Sequence, residues 1–156
     1  ARRFALRESP DMLLHETHIM IAEKYRTVIQ PRLGALAYLR KLKDANVAMC
    51  VATLTDREFV LDALAHYGMI ELFEFVLTVG EVGKSKEEPD IYLECARRLG
   101  ANPSNTVVFE DSLYAIRTAK RAGFTVYAVR DEVALPDQNE IKALCNRYIE
   151  DFSELL

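Results

Sequence analysis

The chain has 156 residues, 50% of them hydrophobic and 28% charged, a composition that excludes disordered, collagen-like and fibrous proteins. A chain of this length buries about 70% of the surface that its unfolded form exposes, so one hydrophobic core is expected without disulfides or bound metal. The net charge of -4, with 20 basic and 24 acidic residues interspersed, provides no basic surface, and no nucleic-acid partner is expected.

The first segment of the chain predicts a helix with no strand before it. Apolar residues recur with a helical period from Met12 to Tyr25, and Pro10 lies near the start of this pattern. Gln30 is biased out of the helical conformation because Pro31 follows it. Residues 1–29 are therefore predicted to form a unit distinct from residues 30–156.

From Leu33 onward, helical patterns alternate with short apolar runs. This alternation predicts parallel strands joined by right-handed crossovers, with helices on both faces of the sheet. The predicted fold class is α/β, a doubly wound, Rossmann-like parallel sheet. The predicted strands are residues 47–53, 73–79, 106–109 and 125–129, and the predicted helices are residues 33–44, 56–67, 88–99 and 112–122, with Asp56 as a helix cap.

Polar side chains follow three of these strands, at the edge of the sheet where ligands bind. Thr53 and Thr55 follow the first strand, Lys86 follows the second, and Glu110 and Asp111 follow the third. Singly, each has an ordinary explanation as a strand former, a solvated loop charge or a helix N-terminus. Together they provide a hydroxyl, an ammonium and paired carboxylates, the groups that hold a phosphoryl group and Mg²⁺.

Four stretches resemble the haloacid dehalogenase-like hydrolases, in the branch of β-phosphoglucomutase and the small sugar-phosphate phosphatases. Phe109-Glu110-Asp111-Ser112, followed eleven residues later by Gly123, is the most specific match. The resemblance covers residues 30–156. The four stretches are residues 51–55, 86–91, 107–112 and 119–123.

The resemblance implies the fold, the chemistry and the site. Residues 1–29 would be the carboxyl-terminal part of a helical cap, and residues 30–156 would be the α/β core. The expected activity is Mg²⁺-dependent phosphoryl transfer through an aspartyl-phosphate, by a phosphatase or phosphohexomutase acting on a small phosphorylated metabolite, such as a sugar phosphate. The implied site residues are Thr53 and Lys86 as catalytic residues, Thr53, Thr55, Arg57 and Lys86 as phosphate ligands, and Glu110 and Asp111 as Mg²⁺ ligands.

The sequence departs from the family pattern in two places. The run Lys86-Glu87-Glu88-Pro89-Asp90 lacks the first proline that usually follows the lysine. The aspartate-any-aspartate motif of the nucleophile is not found, and Asp11 is not assigned this role because no strand is predicted before it. We therefore expect the chain to be the carboxyl-terminal portion of a longer protein, with a core that lacks its central first strand and is inactive alone.

Two other functions remain open from the sequence. One is a non-catalytic interaction or regulatory domain derived from the same fold. The other is a nucleotide-binding phosphate loop at Gly83-Lys84-Ser85, although Thr78 stands where that motif requires a glycine. The enzyme hypothesis predicts that Lys86→Ala and Asp111→Ala abolish most turnover and leave folding nearly intact.

The location is predicted from what the sequence lacks. The longest apolar run without charges, residues 47–55, is shorter than the ~20 residues that span a bilayer, so no membrane association is expected. Three widely spaced cysteines suit reduced thiols, which predicts a cytoplasmic protein. The substrate and the oligomeric state stay open.

Overall fold

The computed structural model describes residues 9–156, except for the side chains of Pro10, Asp11, Leu14, His15 and Arg26. Residues 1–8 of the predicted cap segment therefore lie outside the described residues. Helix α1 spans Pro10–Thr27, as its apolar period predicts, and the Met12 amide donates to Ser9 Oγ at its N-terminus, over 3.2 Å.

Five parallel strands alternate with helices in the described part of the chain, which confirms the predicted α/β class. Two of the four predicted strands are shorter than the apolar runs that predicted them, and the other two keep the predicted length. The strand Arg147–Ile149 and the helices Val79–Val82 and Gln138–Leu144 were not predicted. The strands are β1 (Cys50–Thr53), β2 (Phe75–Thr78), β3 (Val107–Glu110), β4 (Thr125–Val129) and β5 (Arg147–Ile149). The remaining helices are α2 (Ala35–Asp44), α3 (Arg57–His66), α4 (Val79–Val82), α5 (Asp90–Arg98), α6 (Leu113–Arg121) and α7 (Gln138–Leu144).

The predicted parallel sheet, expected to lack its central strand, is divided into two sheets in the structure. Strand β1 pairs with β2, and β3 pairs with β4, which pairs with β5. Within residues 9–156, no strand pairs with the second edge of β1 or of β3. These two edges therefore leave rows of backbone N–H and C=O groups without a strand partner in the described part of the chain.

One hydrophobic core joins the two sheets. Leu77 on β2 and Ile91 on α5 belong to the same buried cluster as Ile116 on α6 and Val126 on β4, and all four are inaccessible to solvent. A strand that is covered on both faces has an uninterrupted apolar sequence, and this pattern made the buried strands predictable from the sequence.

An aromatic cluster packs the other face of the second sheet. The ring of Phe109 on β3 contacts Tyr127, Tyr38 on α2 and Phe152, with centroids 5.3 to 6.0 Å apart. The sheet therefore has helices on both faces, as predicted. None of the helices in residues 9–156 combines the length and hydropathy needed to cross a membrane.

Gly34 allows the carboxyl-terminal segment to pack closely on the start of α2. Its φ is +75°, and a Cβ atom placed there would lie 2.7 Å from the carbonyl carbon of Phe152. Beside it, the Phe152 amide donates to Leu33 O over 3.0 Å. No residue with a side chain fits this approach without moving the backbone.

Candidate active site

Lys86 and Glu110 form a buried ion pair at the carboxyl end of β3. Glu110 is the last residue of β3, and Lys86 lies in the loop between α4 and α5. Lys86 Nζ is 2.5 Å from Glu110 Oε1, and the two side chains are 11% and 7% exposed. Burying one of these charges without a partner would cost free energy, so each group needs the opposite charge of the other to remain buried. This burial excludes the explanation of Lys86 as a solvated loop charge.

Tyr92 joins this pair from the first turn of α5. Its hydroxyl donates to the same oxygen, Glu110 Oε1, over 2.8 Å, and Lys86 Nζ lies 5.8 Å from the centroid of its ring. Burial, followed by the negative charge of Glu110, raises the pKa of Tyr92, so the hydroxyl stays protonated and acts as a donor. The sequence did not predict this role, because a tyrosine in an apolar helical stripe is usually a core residue.

Asp111 lies next to the pair and is open to solvent. Its side chain is 47% exposed, and its one ion pair within the described residues is long, 3.4 Å from Arg32 Nη2 to Oδ2. Arg32 is held mainly by stronger bonds, 2.7 Å to Asp131 Oδ2 and 2.7 Å to the carbonyl of Arg130. The bond from Arg32 lowers the pKa of Asp131, with help from the Val133 amide. Arg32 and Asp131 were not identified from the sequence, because they are 99 positions apart.

The two predicted metal ligands fit part of a Mg²⁺ shell. Within the described residues, both hydrogen bonds to the carboxylate of Glu110 go to Oε1 and none goes to Oε2. Asp111 supplies a second, exposed carboxylate. Mg²⁺ is usually bound by one or two carboxylates together with water and phosphate oxygens. The described part of the chain contains no group of three or more His, Cys, Asp or Glu side chains placed to hold a metal ion.

Two of the predicted phosphate residues, Thr53 and Thr55, are joined by a hydrogen bond at the carboxyl end of β1. Thr53 Oγ1 accepts from the Thr55 amide over 3.0 Å, and Thr55 Oγ1 is 3.2 Å from the hydroxyl of Tyr25 on α1. Arg57 instead donates to the Val76 carbonyl on β2 over 2.8 Å and contacts Glu81. The structure therefore brings Thr53 and Thr55 together where β1 ends, and it ties Arg57 to the neighbouring strand. Asp56 is the N-cap residue of α3, as predicted, but its side chain makes no capping hydrogen bond.

A cavity of about 440 Å³ opens beside Thr55, between α1 and the β1–α3 connection. The surface of the cavity is mostly apolar, and the charged residues Lys24 and Asp56 also line it. Thr55 lines this cavity and also forms the hydrogen bonds to Thr53 and Tyr25 described above. The apolar lining residues are Ile21, Ile29, Leu54 and Phe59.

The structure does not support a nucleotide-binding phosphate loop at Gly83-Lys84-Ser85. Gly83 ends the short helix α4 in the left-handed conformation, and the next helix begins only at Asp90. Lys84 Nζ forms an ion pair with Asp90 Oδ1 at 3.2 Å. A phosphate loop requires a helix that starts at the lysine and directs its amides at the phosphates, and α5 does not.

Comparison with known proteins agrees with this geometry. The family model of the haloacid dehalogenase-like hydrolases matches residues 4–123, most of the chain. The chain belongs to this family. The resemblance predicted from the strand-end motifs is therefore confirmed.

One curated protein and one solved structure illustrate the similarity to this family. The fructose-1-phosphate phosphatase YqaB of Escherichia coli is 37% identical over 82 residues, which cover 53% of this chain and 44% of that protein. The CbbY protein of Rhodobacter sphaeroides, solved with xylulose-1,5-bisphosphate, is 27% identical with a TM-score of 0.81, over 94% of this chain and 67% of that chain.

A third similarity shows the fold alone. The β-phosphoglucomutase of Clostridium difficile is 23% identical with a TM-score of 0.70, over 88% of this chain and 56% of that chain. The chain spans between 32% and 46% of the length of the first curated relatives that it matches.

Proposed function

We propose that the protein carrying this chain is a Mg²⁺-dependent phosphoryl-transfer enzyme, a phosphatase or phosphohexomutase, that acts on a small phosphorylated metabolite. The observation that carries the proposal is the buried Lys86–Glu110 pair beside the open carboxylate of Asp111. A fixed ammonium at the carboxyl edge of parallel strands can stabilise charge on phosphoryl oxygens. Membership of the haloacid dehalogenase-like family supports this chemistry.

Each residue of the site has a separate task in this proposal. Thr53 donates its hydroxyl hydrogen to a phosphoryl oxygen while it accepts the Thr55 amide. Lys86 stabilises the negative charge of the transferring group, and Glu110 keeps its ammonium in place. Glu110 Oε2 and Asp111 would hold Mg²⁺, which when bound neutralises charge on the phosphoryl oxygens.

We further propose that the nucleophilic aspartate comes from residues other than 9–156. The unpaired edges of β1 and β3 support this, since a strand between them would satisfy both rows of backbone groups. The aspartate would attack phosphorus, the P–O bond of the ester would break, and a proton would pass to the leaving alkoxide. Water would then release phosphate from the aspartyl-phosphate.

The substrate and the location follow from the same proposal. Helix α1 would be the end of a cap, and the cavity between α1 and Thr55 would hold the alcohol part of the substrate. Lys24 and Asp56 can form hydrogen bonds with hydroxyl groups, which supports a sugar phosphate, and the Escherichia coli relative is a fructose-1-phosphate phosphatase. The odd number of widely spaced cysteines supports a cytoplasmic location.

Phosphate release from a panel of sugar phosphates and other phosphate esters, measured on the intact protein with Mg²⁺ or with a chelator, tests the proposal. We expect Mg²⁺-dependent hydrolysis that falls at least about 100-fold in Lys86→Met and in Asp111→Asn. Lys43→Met is the matched control, because Lys43 forms an exposed ion pair with Glu74, the residue just before β2. Full activity in either site variant, or activity independent of Mg²⁺, would contradict the proposal.

A further inference from the structure

Three side chains from different elements meet at one oxygen atom. Glu110 Oε1 accepts from Lys86 Nζ over 2.5 Å and from the Tyr92 hydroxyl over 2.8 Å. The Tyr92 ring is 3% exposed and packs against Phe124, with centroids 6.1 Å apart, so the position of the hydroxyl is fixed by the core. The carboxylate of Glu110 therefore has two donors on one oxygen.

The Tyr92 hydroxyl has no other acceptor within the described residues. Burying a hydroxyl costs free energy unless it forms a hydrogen bond, and a phenylalanine ring would fill the same core volume without that cost. The ring is therefore sufficient for packing, and the hydroxyl has a separate effect on Glu110. The terminal torsion of a glutamate is broad, so one lysine contact alone leaves the plane of the carboxylate poorly fixed.

We propose that Tyr92 is a positioning residue of the active site, which holds Glu110 Oε1 on Lys86 and so reserves Oε2 for the divalent cation that Asp111 also binds. This inference rests on the proposed function, because it assigns Glu110 to the metal. Tyr92 itself touches neither the metal nor the substrate. It acts through the orientation of Glu110, in the way that residues behind metal ligands fix the ligand geometry.

The test is Mn²⁺ binding to the intact protein, measured by electron paramagnetic resonance on wild type and Tyr92→Phe. Loss of a partner behind a metal ligand usually weakens metal affinity about 10–100-fold, and we expect a loss of this size. Tyr148→Phe is the matched control, since among the described residues the Tyr148 hydroxyl accepts a hydrogen bond from Gln138 Nε2 alone, over 2.8 Å. Tyr148 lies on β5, two strands from Glu110. The control is expected to bind Mn²⁺ as wild type does.

A second readout separates orientation from stability. In Tyr92→Phe, the Mg²⁺ concentration for half-maximal hydrolysis should rise while the KM for the phosphate ester stays close to that of wild type. A role in packing alone would lower the thermal midpoint and leave the Mg²⁺ dependence unchanged.

The outcomes distinguish this inference from the proposed function. Equal Mn²⁺ affinity in wild type and Tyr92→Phe overturns the positioning role, even if both proteins hydrolyse phosphate esters. Wild type that binds Mn²⁺ but hydrolyses nothing contradicts the proposed function, and weaker binding by Tyr92→Phe would still support the role of Tyr92. No Mn²⁺ binding by wild type overturns both.

Discussion

Removal of either member of the Lys86–Glu110 pair should destabilise the fold as well as the site. Lys86→Met leaves the Glu110 carboxylate buried with only the Tyr92 hydroxyl, and Glu110→Gln leaves the Lys86 ammonium buried without a counter-charge. Breaking a buried ion pair from one side costs about 3–5 kcal/mol. The sequence alone predicted that loss of Lys86 would leave folding nearly intact, and the burial of the pair changes that expectation.

The assay is urea unfolding of wild type, both single variants and the double variant, because a double-mutant cycle isolates the interaction between two groups. We expect each single variant to lose about 3–5 kcal/mol and the double variant to lose less than the sum, because no buried charge is left without a partner.

The control for this cycle is the Lys43–Glu74 pair, which is 3.1 Å apart but has side chains 41% and 50% exposed. An exposed pair contributes about 0–1 kcal/mol, so Lys43→Met should change stability little. Losses of under about 1 kcal/mol in both Lys86→Met and Glu110→Gln, matching the control, would refute the reasoning.

Three further predictions concern the fold around the site. Gly34→Ala should lower the free energy of unfolding by more than about 1–2 kcal/mol, because a left-handed φ is combined with a close approach to Phe152, and calorimetry would detect it. Leu77→Ala should cost about 2–5 kcal/mol in denaturant unfolding and Leu77→Met less than about 1.5 kcal/mol. An alanine variant as stable as wild type would mean that Leu77 is not tightly packed. The pKa of Asp131, followed by carbon NMR, should lie below the usual aspartate range and should rise in Arg32→Gln. Ionised Asp131 therefore stabilises the fold at neutral pH, and this stabilisation is lost as the pH falls through the lowered pKa. An unchanged pKa in Arg32→Gln would exclude the bond from Arg32 as the cause of the lowered pKa.

The elements that could be predicted are those with a strong local pattern. Residues 125–129 were predicted as a strand and match β4. A short apolar run that follows a helix ending at a glycine is typical of a buried strand, so the local pattern was enough to predict it. Strand β5 and α7 were missed, since β5 has three residues and α7 has seven, too few for either period to appear. The gap between β1 and β3 was expected from the family resemblance, because pairing between strands is not a property of any local pattern.

The sequence by itself determined the α/β class, the family and the set of polar residues at the strand ends, because strand periodicity and motif spacing are local properties of the chain. Only the tertiary structure decided how those residues are used. It buried Lys86 against Glu110, brought Tyr92 to the same oxygen and turned Arg57 to the Val76 carbonyl. These contacts join elements that are distant along the chain, so their distances and burial arise from packing rather than from any single segment.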